Sequence, residues 1–571
     1  MLDHVSVGAG RPGGAFGSAV RRARASLTSP HAALFGIGLV WFVASFAVLL
    51  WTWGLDPLVF PSSDEAVVRY AASLIGKHQA PFLDLPLADP EDLLHPRSWI
   101  TIGNRATPTY APVSFYVYGW LLRLQNVGLV LISLMPAAAV GAFAAGTARL
   151  LPPARRWLAL AAPALGFPAL YWVLRTWVNG SPLLIGICWS VFFWAAWRET
   201  QRIGWLAAAL LCLGYSSAVR PDYAAYLLLV ALLLSVAASP GEWKVIAGMV
   251  VLSGVLALSA NLVLNKMITG HAGRAAYQMA IDRQWGPADP KELPGLGLLR
   301  SLLIPMGIPS WEVGSTAFSK YWLTLGPAPL LLFGQLALVP LLMQGSGLQR
   351  GLRAGAVLVV LFFAVSRLQD QVFGAQFPDG QVHHSVPRYL SPVYLIAALP
   401  PLLFIGQCRR LGIFIPGAAL LVVLAVAGGY EILFGGVSSQ TWLREFVDKR
   451  EAALGQLSRS IPATATVYTT SEDKWIWSRW RTWMIEDTEA SAKSIDRAVE
   501  AKLELFLLEP SYNSKVKRLA AALRRRQISL ERVDARRGVY RIVRAAESAA
   551  EPPAAPRPAP DAQGAEQRRE E

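Results

Sequence analysis

Asp64 and Glu65 stand side by side just after the first long apolar run, Trp41 to Trp53. Carboxylates next to low-dielectric lipid are costly, so an acidic pair there needs a physical cause. Ser62, behind Pro61 and three residues ahead of Glu65, makes a capping-box pattern. Val67, Tyr70, Ala71, Leu74 and Ile75 then continue one apolar helical face. Glu65 therefore has a structural reading, as the partner of its own helix start. Asp64 needs no such role, and neighbours on a helix point about 100° apart. Two readings stay open for Asp64. One is that both acids merely favour the positive helix N-terminus. The other is that Asp64 is a general base in partly desolvated surroundings, where a carboxylate is stronger than in water.

Three further groups could carry chemistry. The stretch after the acidic pair, up to about residue 111, holds His95, Arg97, Trp99, Asn104, Arg105 and Tyr110 among many prolines. It reads either as a lid over a groove or as a connector with aromatics at headgroup level. Arg175, Asn179, Arg220, Asp222 and Tyr223 fall at the ends of apolar runs. An arginine there binds phosphate bidentately, snorkels to headgroups or, for Arg220, pairs with Asp222. The run His383-His384-Ser385-Val386-Pro387-Arg388-Tyr389-Leu390-Ser391-Pro392 puts two histidines, an arginine and a tyrosine at one membrane depth. That suits an anionic headgroup or an interface belt. Adjacent histidines do not chelate a metal as an i, i+4 pair does.

These groups need helices in a membrane to hold them. Of the 571 residues 54% are hydrophobic and only 16% charged, with 21 tryptophans, against roughly 25% charged in soluble proteins. The net charge of +15 fits cytoplasmic loops of a membrane protein rather than a nucleic-acid site. The cysteines Cys188, Cys212 and Cys408 are too few and scattered for a disulfide framework or zinc site. Residues 1–33, with Arg11, Arg21, Arg22 and Arg24, read as a cytoplasmic basic N-terminus before an uncleaved anchor. The positive-inside rule then gives about 11 spans, at 34–53, 127–148, 156–174, 181–198, 203–219, 222–238, 244–265, 321–343, 351–367, 389–406 and 411–434. The outer loops are 54–126 and 266–320, and the apolar stretch 112–124 is too short to span and is expected to form a juxtamembrane or re-entrant helix.

From about 435 the composition changes. Residues 441–459 read as an amphipathic helix; strands are expected at 465–470, 503–508 and 538–543, and helices at 489–501 and 513–527. Residues 435–545 thus form a small extracytoplasmic α/β domain, and 546–571, rich in Ala, Pro, Glu and Arg, a disordered tail. The fold class is an α-helical polytopic membrane protein with a C-terminal α/β domain. No P-loop, strand-linked GxGxxG, HExxH or GxSxG motif occurs, so soluble nucleotide chemistry is not indicated.

The membrane part, about 34–434, resembles the GT-C glycosyltransferases, within them the protein O-mannosyltransferase and aminoarabinose-transferase-like group. The resemblance rests on the acidic pair Asp64-Glu65, the run Pro108-Thr109-Tyr110-Ala111-Pro112, the step Arg220-Pro221-Asp222, and Arg388-Tyr389-Leu390-Ser391-Pro392 before the tenth span. The chain departs from the protein O-mannosyltransferases in lacking a large β-trefoil insertion, which puts protein as the acceptor in doubt.

The resemblance implies an inverting transferase of a bacterial-type inner membrane, with N-terminus cytoplasmic and C-terminus extracytoplasmic. It would move a sugar from a polyprenyl-phosphate-linked donor to a hydroxyl or amine of a glycan, lipid or protein acceptor, with membrane lipid around it. By that analogy Asp64 is the base, Glu65 holds it, and Arg388, Tyr389, His384, His383 and Arg220 face the donor phosphate. His95, Arg105, Tyr110, Asn179 and Asp222 are candidates for acceptor or sugar. A divalent metal is compatible, but no residue set demands one. Two other classes compete: a transporter or flippase of lipid-linked sugars, which should carry polar groups at mid-membrane, and a non-catalytic assembly protein of the cell envelope.

Overall fold

A computed structural model of the chain describes residues 30–545, except 88–94, 96, 111, 179, most of 273–333, 368–385, 436–438, 471, 486 and 510–513. His383, His384, Asn179, most of the 266–320 loop, the start of the 321–343 span and the tail 546–571 lie outside the described residues. The contacts divide the chain into two compact units: Met1–Leu83 with Ser98–Glu451, and Asp84–Arg97 with Ala452–Glu571.

The first unit is helical and crosses a membrane many times. Eight helices among the described residues are long and apolar enough to span, and Val113–Leu122 and Ile203–Val219 are shorter apolar helices. The elements that matter for the site are α1 (Pro30–Trp53), α2 (Ser63–Gly76), α3 (Val113–Leu122), α4 (Asn126–Arg149), α5 (Phe167–Val173), α6 (Gly180–Thr200), α7 (Ile203–Val219), α8 (Pro221–Ala238), α9 (Trp243–Thr269), α10 (Gly347–Arg367), α11 (Val386–Ala397), α12 (Leu399–Gln407) and α13 (Leu411–Phe434). With 24 residues, α1 and α4 each extend roughly 36 Å, longer than the ~30 Å hydrocarbon core. They pack through Gly38 and Gly141, where a Cβ on Gly141 would lie 2.6 Å from the Gly38 carbonyl oxygen. Without a hydrophobic drive between helices in lipid, such small-residue approach holds them together.

Of two expected elements, the first keeps its expected length and the second takes a different form. The apolar stretch 112–124 is the 10-residue helix α3, about 15 Å long and too short to cross. It lies against α2, where a Cβ on Gly119 would sit 2.5 Å from the Ile75 Cβ. The expected span 156–174 is not one helix. It is a 3₁₀ stretch, Pro153–Ala161, followed by the short helices Ala162–Leu165 and α5. Pro163 and Pro168 lack the N–H that a continuous helix needs.

Between α2 and α3 runs a hairpin, β1 (Trp99–Ile102) and β2 (Arg105–Pro108), antiparallel with Trp99 opposite Pro108 and Ile102 opposite Arg105. Gly103 turns it at φ +64°, a conformation that favours glycine. The base of the hairpin is tied to α2: Thr109 N–H and Oγ1 donate to the Ser98 carbonyl at 3.1 and 2.8 Å, and Ser98 Oγ donates to Ser63 Oγ at 3.0 Å. This tie carries Tyr110 back to the start of α2.

The amphipathic helix expected at 441–459 is α14 (Gln440–Leu457). The second unit is a five-stranded sheet of β3 (Thr466–Thr469), β4 (Arg481–Met484), β5 (Leu505–Leu508), β6 (Ile528–Asp534) and β7 (Val539–Arg544), in the order β4-β3-β5-β7-β6. The first three are parallel, and β7 pairs antiparallel with both β5 and β6. Helices α15 (Thr488–Glu500) and α16 (Ser514–Arg524) pack on it around Tyr468, Trp483, Ile495, Leu507, Leu519 and Leu523. The strands β4 and β6 are additions to the sequence reading. Segment Asp84–Arg97 also belongs here: Leu85 and Leu87 pack on the core, and the Arg97 N–H donates to Asp473 Oδ2 at 3.0 Å. Asp473 is 1% exposed; burial pushes its carboxyl up, and the Arg97 charge only partly offsets this.

Candidate functional site

The start of α2 forms the Ser62 half of the expected capping box. Ser62 Oγ accepts from the Glu65 N–H at 3.4 Å and donates to Glu65 Oε2 at 3.2 Å. The carboxylate of Glu65 then turns into the bundle, where it is 1% exposed. There it meets Arg175 bidentately, Nε to Oε1 at 2.8 Å and Nη2 to Oε2. Arg175 lies 4.7 Å over the Trp172 ring and donates to Tyr171 Oη at 3.4 Å. Arg175, weighed as a phosphate ligand, is thus the counter-ion of Glu65.

Asp64, one residue earlier, faces a different set of groups. Tyr110 Oη donates to its Oδ1, and Arg388 Nη1 to its Oδ2. Burial raises the Asp64 carboxyl, but the Arg388 charge and the two hydrogen bonds more than reverse this and hold it below its ordinary value. The Tyr110 phenol is pushed well above its usual range by burial and by the Asp64 charge beside it. Residues distant in sequence, 64, 110 and 388, therefore meet at one carboxylate.

Arg388 opens α11 and is fixed by rings as well as by Asp64. Its guanidinium lies 5.8 Å from the Trp172 ring centre and 5.0 Å from that of Tyr389, whose hydroxyl accepts from Nη2 at 3.1 Å. Arg220 sits 5.3 Å from the centre of the same Tyr389 ring and grips Asp222 with Nε at 3.0 Å and Nη2 at 2.9 Å. Arg367, which the sequence reading missed, closes the group. It donates to Asp222 Oδ2 at 3.0 Å and to the Asp222 carbonyl at 2.7 Å, over the Tyr223 ring at 4.6 Å. Tyr223 Oη in turn donates to the Tyr389 carbonyl at 2.9 Å. Among the described residues, the cluster holds Arg175, Arg220, Arg367 and Arg388 against Asp64, Glu65 and Asp222, four charges against three. It has one positive charge to spare, and the buried Arg388 Nε and Arg367 Nε have no hydrogen-bond partner among the described residues.

Of the predicted site residues, Asp64, Glu65, Tyr110, Arg220, Asp222, Arg388 and Tyr389 come together. Arg105 does not join them; it is exposed on β2 and stacks over Phe82 at 4.1 Å. His95 lies in the 84–97 segment of the second unit. Among the described residues no group of three or more His, Cys, Asp or Glu side chains is placed to share a metal ion. The three acids of the cluster are each engaged by an arginine, so a divalent cation does not fit them as they stand.

Beside this cluster an apolar cavity of about 160 Å³ is lined by Ile187, Val191 and Trp194 of α6, Tyr223, Leu227, Val230 and Leu234 of α8, Phe363 of α10, and Val393 and Ile396 of α11. It begins at Tyr223 and Phe363, the two rings that flank Arg367. From Tyr223 to Leu234 it follows about 16 Å of helix. A charged head and an apolar trough are thus contiguous.

No family model matches the chain, and no curated protein does. Among solved structures it is similar to ArnT from Cupriavidus metallidurans bound to undecaprenyl phosphate, at 14% identity and TM-score 0.47 over 88% of this chain and 97% of that one. It is similar to the same protein in the apo state at 13% identity and TM-score 0.42, over 89% and 98%. It is also similar to the Archaeoglobus fulgidus oligosaccharyltransferase in the apo form, at 11% identity and TM-score 0.40, over 85% and 71%.

Proposed function

We propose that the chain is a GT-C-type membrane glycosyltransferase that moves a sugar from a polyprenyl-phosphate donor to an acceptor hydroxyl or amine at the outer face of the membrane. The observation that carries this is the joining, in one buried group, of a carboxylate (Asp64), a surplus of arginine charge and an apolar trough. A carrier would need polar groups through mid-membrane, whereas these gather at the ends of α5, α8, α10 and α11.

In the proposed reaction with a hydroxyl acceptor, the oxygen attacks the anomeric carbon and its proton passes to Asp64. The bond from that carbon to the phosphate oxygen breaks, and polyprenyl phosphate leaves with the electron pair. Configuration inverts. Arg388 and Arg220 stabilise the charge that grows on the leaving phosphate, and the trough receives the first part of its lipid chain. Glu65 keeps Arg175 and the start of α2 in place, so that Asp64 is held where it acts.

The test is release of polyprenyl phosphate from polyprenyl-phosphate sugars by the purified protein in detergent, with candidate glycan, lipid and peptide acceptors. Turnover that depends on an acceptor supports the reading. Transport of intact donor across vesicles without bond cleavage would replace it with a carrier.

Two outcomes follow from the geometry. Leu227→Trp fills the trough, and a penalty of about 1–3 kcal/mol should weaken polyprenyl phosphate binding by roughly 5- to 150-fold. A donor whose lipid is cut to a few carbons should lose far less; an equal loss for both would move the lipid elsewhere. The second concerns pH. Asp64 is faced by Arg388, Tyr110 and Arg175, and after the opposing effect of burial it is held below its ordinary value. The base form is the charged form, so lowering its pKa extends activity toward acid. The acid limb of kcat/KM, which reports the free enzyme, should therefore lie below about pH 4, the usual aspartate value. A limb near pH 6 that vanishes in Asp64→Asn would contradict this placement of Asp64.

A further inference from the structure

Asp64 in the structure is a weakened base, because the paired Arg388 charge holds its carboxyl below the ordinary value. Both of its oxygens are engaged, one by Tyr110 and one by Arg388. Arg388 is 7% exposed, lies near the Trp172 and Tyr389 rings, and has an Nε–H with no partner among the described residues. A buried unpaired donor on a charged group is costly, and among the described residues the cluster around it has one more positive charge than negative. The one arginine that pairs with Asp64 is therefore also an arginine with hydrogen-bonding capacity in reserve.

We propose that the donor phosphate and Asp64 compete for Arg388, so that arrival of the donor releases the base. The idea rests on the transferase reading above and concerns the control of that same site. A phosphodiester carries one negative charge, which matches the surplus of the cluster. On binding it engages the Arg388 guanidinium, and the Asp64 oxygen that faced Arg388 becomes open to an acceptor hydroxyl. Tyr110 stays on the other oxygen and keeps the carboxylate oriented. No covalent bond changes in this step; only the partner of Arg388 does. The arrangement makes the base available only when a sugar donor is in place. An acceptor or water that enters alone meets a carboxylate already neutralised by an arginine. Trp172 lies beside both Arg175 and Arg388, 4.7 and 5.8 Å from its ring centre.

The experiment is equilibrium binding of polyprenyl methyl phosphate, an unreactive phosphodiester of one charge, in detergent micelles, to wild type, Asp64→Asn, Arg388→Gln and Tyr110→Phe, with thermal stability followed alongside. Competition predicts that Asp64→Asn binds more tightly than wild type, by about tenfold or more, the low end for close charge pairs. Arg388→Gln should bind more weakly, and Tyr110→Phe like wild type. Asp64→Ser provides the same comparison should the amide variant fail to fold. Binding to Asp64→Asn that equals or falls below wild type would overturn the proposal, because Asp64 would then be an anchor for Arg388 rather than a rival for it. Unchanged binding in Arg388→Gln would overturn it too. In both cases the transferase reading survives, since wild type still binds the lipid phosphate. Absence of binding in every variant removes the donor assignment itself, and the exchange falls with it.

Discussion

Asp64→Asn is expected to lower kcat by about 10²–10⁴, the usual range for loss of a general base. The amide is nearly the same size and its oxygen still accepts from Arg388, but it cannot take the acceptor proton. The fold is expected to persist. The Asp64 side chain is 14% exposed against 1% for Glu65, so its loss of charge is partly compensated by water. The measurement is single-turnover release of polyprenyl phosphate from saturating donor, normalised to folded protein by thermal unfolding. Retention of more than a tenth of the wild-type rate would remove Asp64 as the base and leave it as a phosphate-competing or structural acid. Complete loss of folded protein would instead class Asp64 with Glu65.

The contrast between these two neighbours was partly legible in the sequence. Ser62 three residues before Glu65 is a local signal, and local signals survive folding: the cap forms, and an apolar face follows it on α2. The steps Arg220-Pro221-Asp222 and Arg388-Tyr389 were also readable, because a short motif at the end of an apolar run has few places to go. Their mutual contacts were not readable. That Arg388 meets Asp64 across 324 positions and that Arg175 meets Glu65 across 110 depends on how helices cross, which no periodicity encodes.

Arg367 escaped for a related reason. At the end of an apolar helix an arginine looks like one that snorkels to headgroups. Only the packing of α10 on α8 turns it inward to Asp222. The broken 156–174 segment shows hydropathy failing in the other direction. Its prolines Pro163 and Pro168 are visible, but an apolar window scores them as part of a span. In the second unit β4, with Arg481, and β6, with Glu531, Arg532 and Asp534, mix charged residues into the strand, whereas β3 and β5, each four residues long, consist of Thr, Val, Tyr, Leu and Phe. Segment 84–97 could not have been assigned to that unit from sequence, because Leu85, Leu87 and Arg97 find their partners nearly 400 residues away, as the Arg97–Asp473 separation of 376 shows.

Glu65→Ala is expected to cost about 3–5 kcal/mol of stability, the range for removing one partner of a buried ion pair. Arg175 is 5% exposed and would keep its charge with no counter-ion, while Ser62 would lose the carboxylate it caps against. The double variant Glu65→Ala/Arg175→Met removes both charges and leaves an apolar side chain beside Trp172, so most of the loss should return. Thermal unfolding and yield of monodisperse protein in detergent give the readout, as a double-mutant cycle. Recovery in the double variant, with turnover per folded molecule restored to within about tenfold of wild type, identifies Glu65 as a support for the Asp64 helix. A single variant that stays as stable as wild type but does not turn over would show the reverse. In that case Glu65 touches substrate, and the Arg175 pair must open during the reaction just as the Asp64–Arg388 pair is proposed to do.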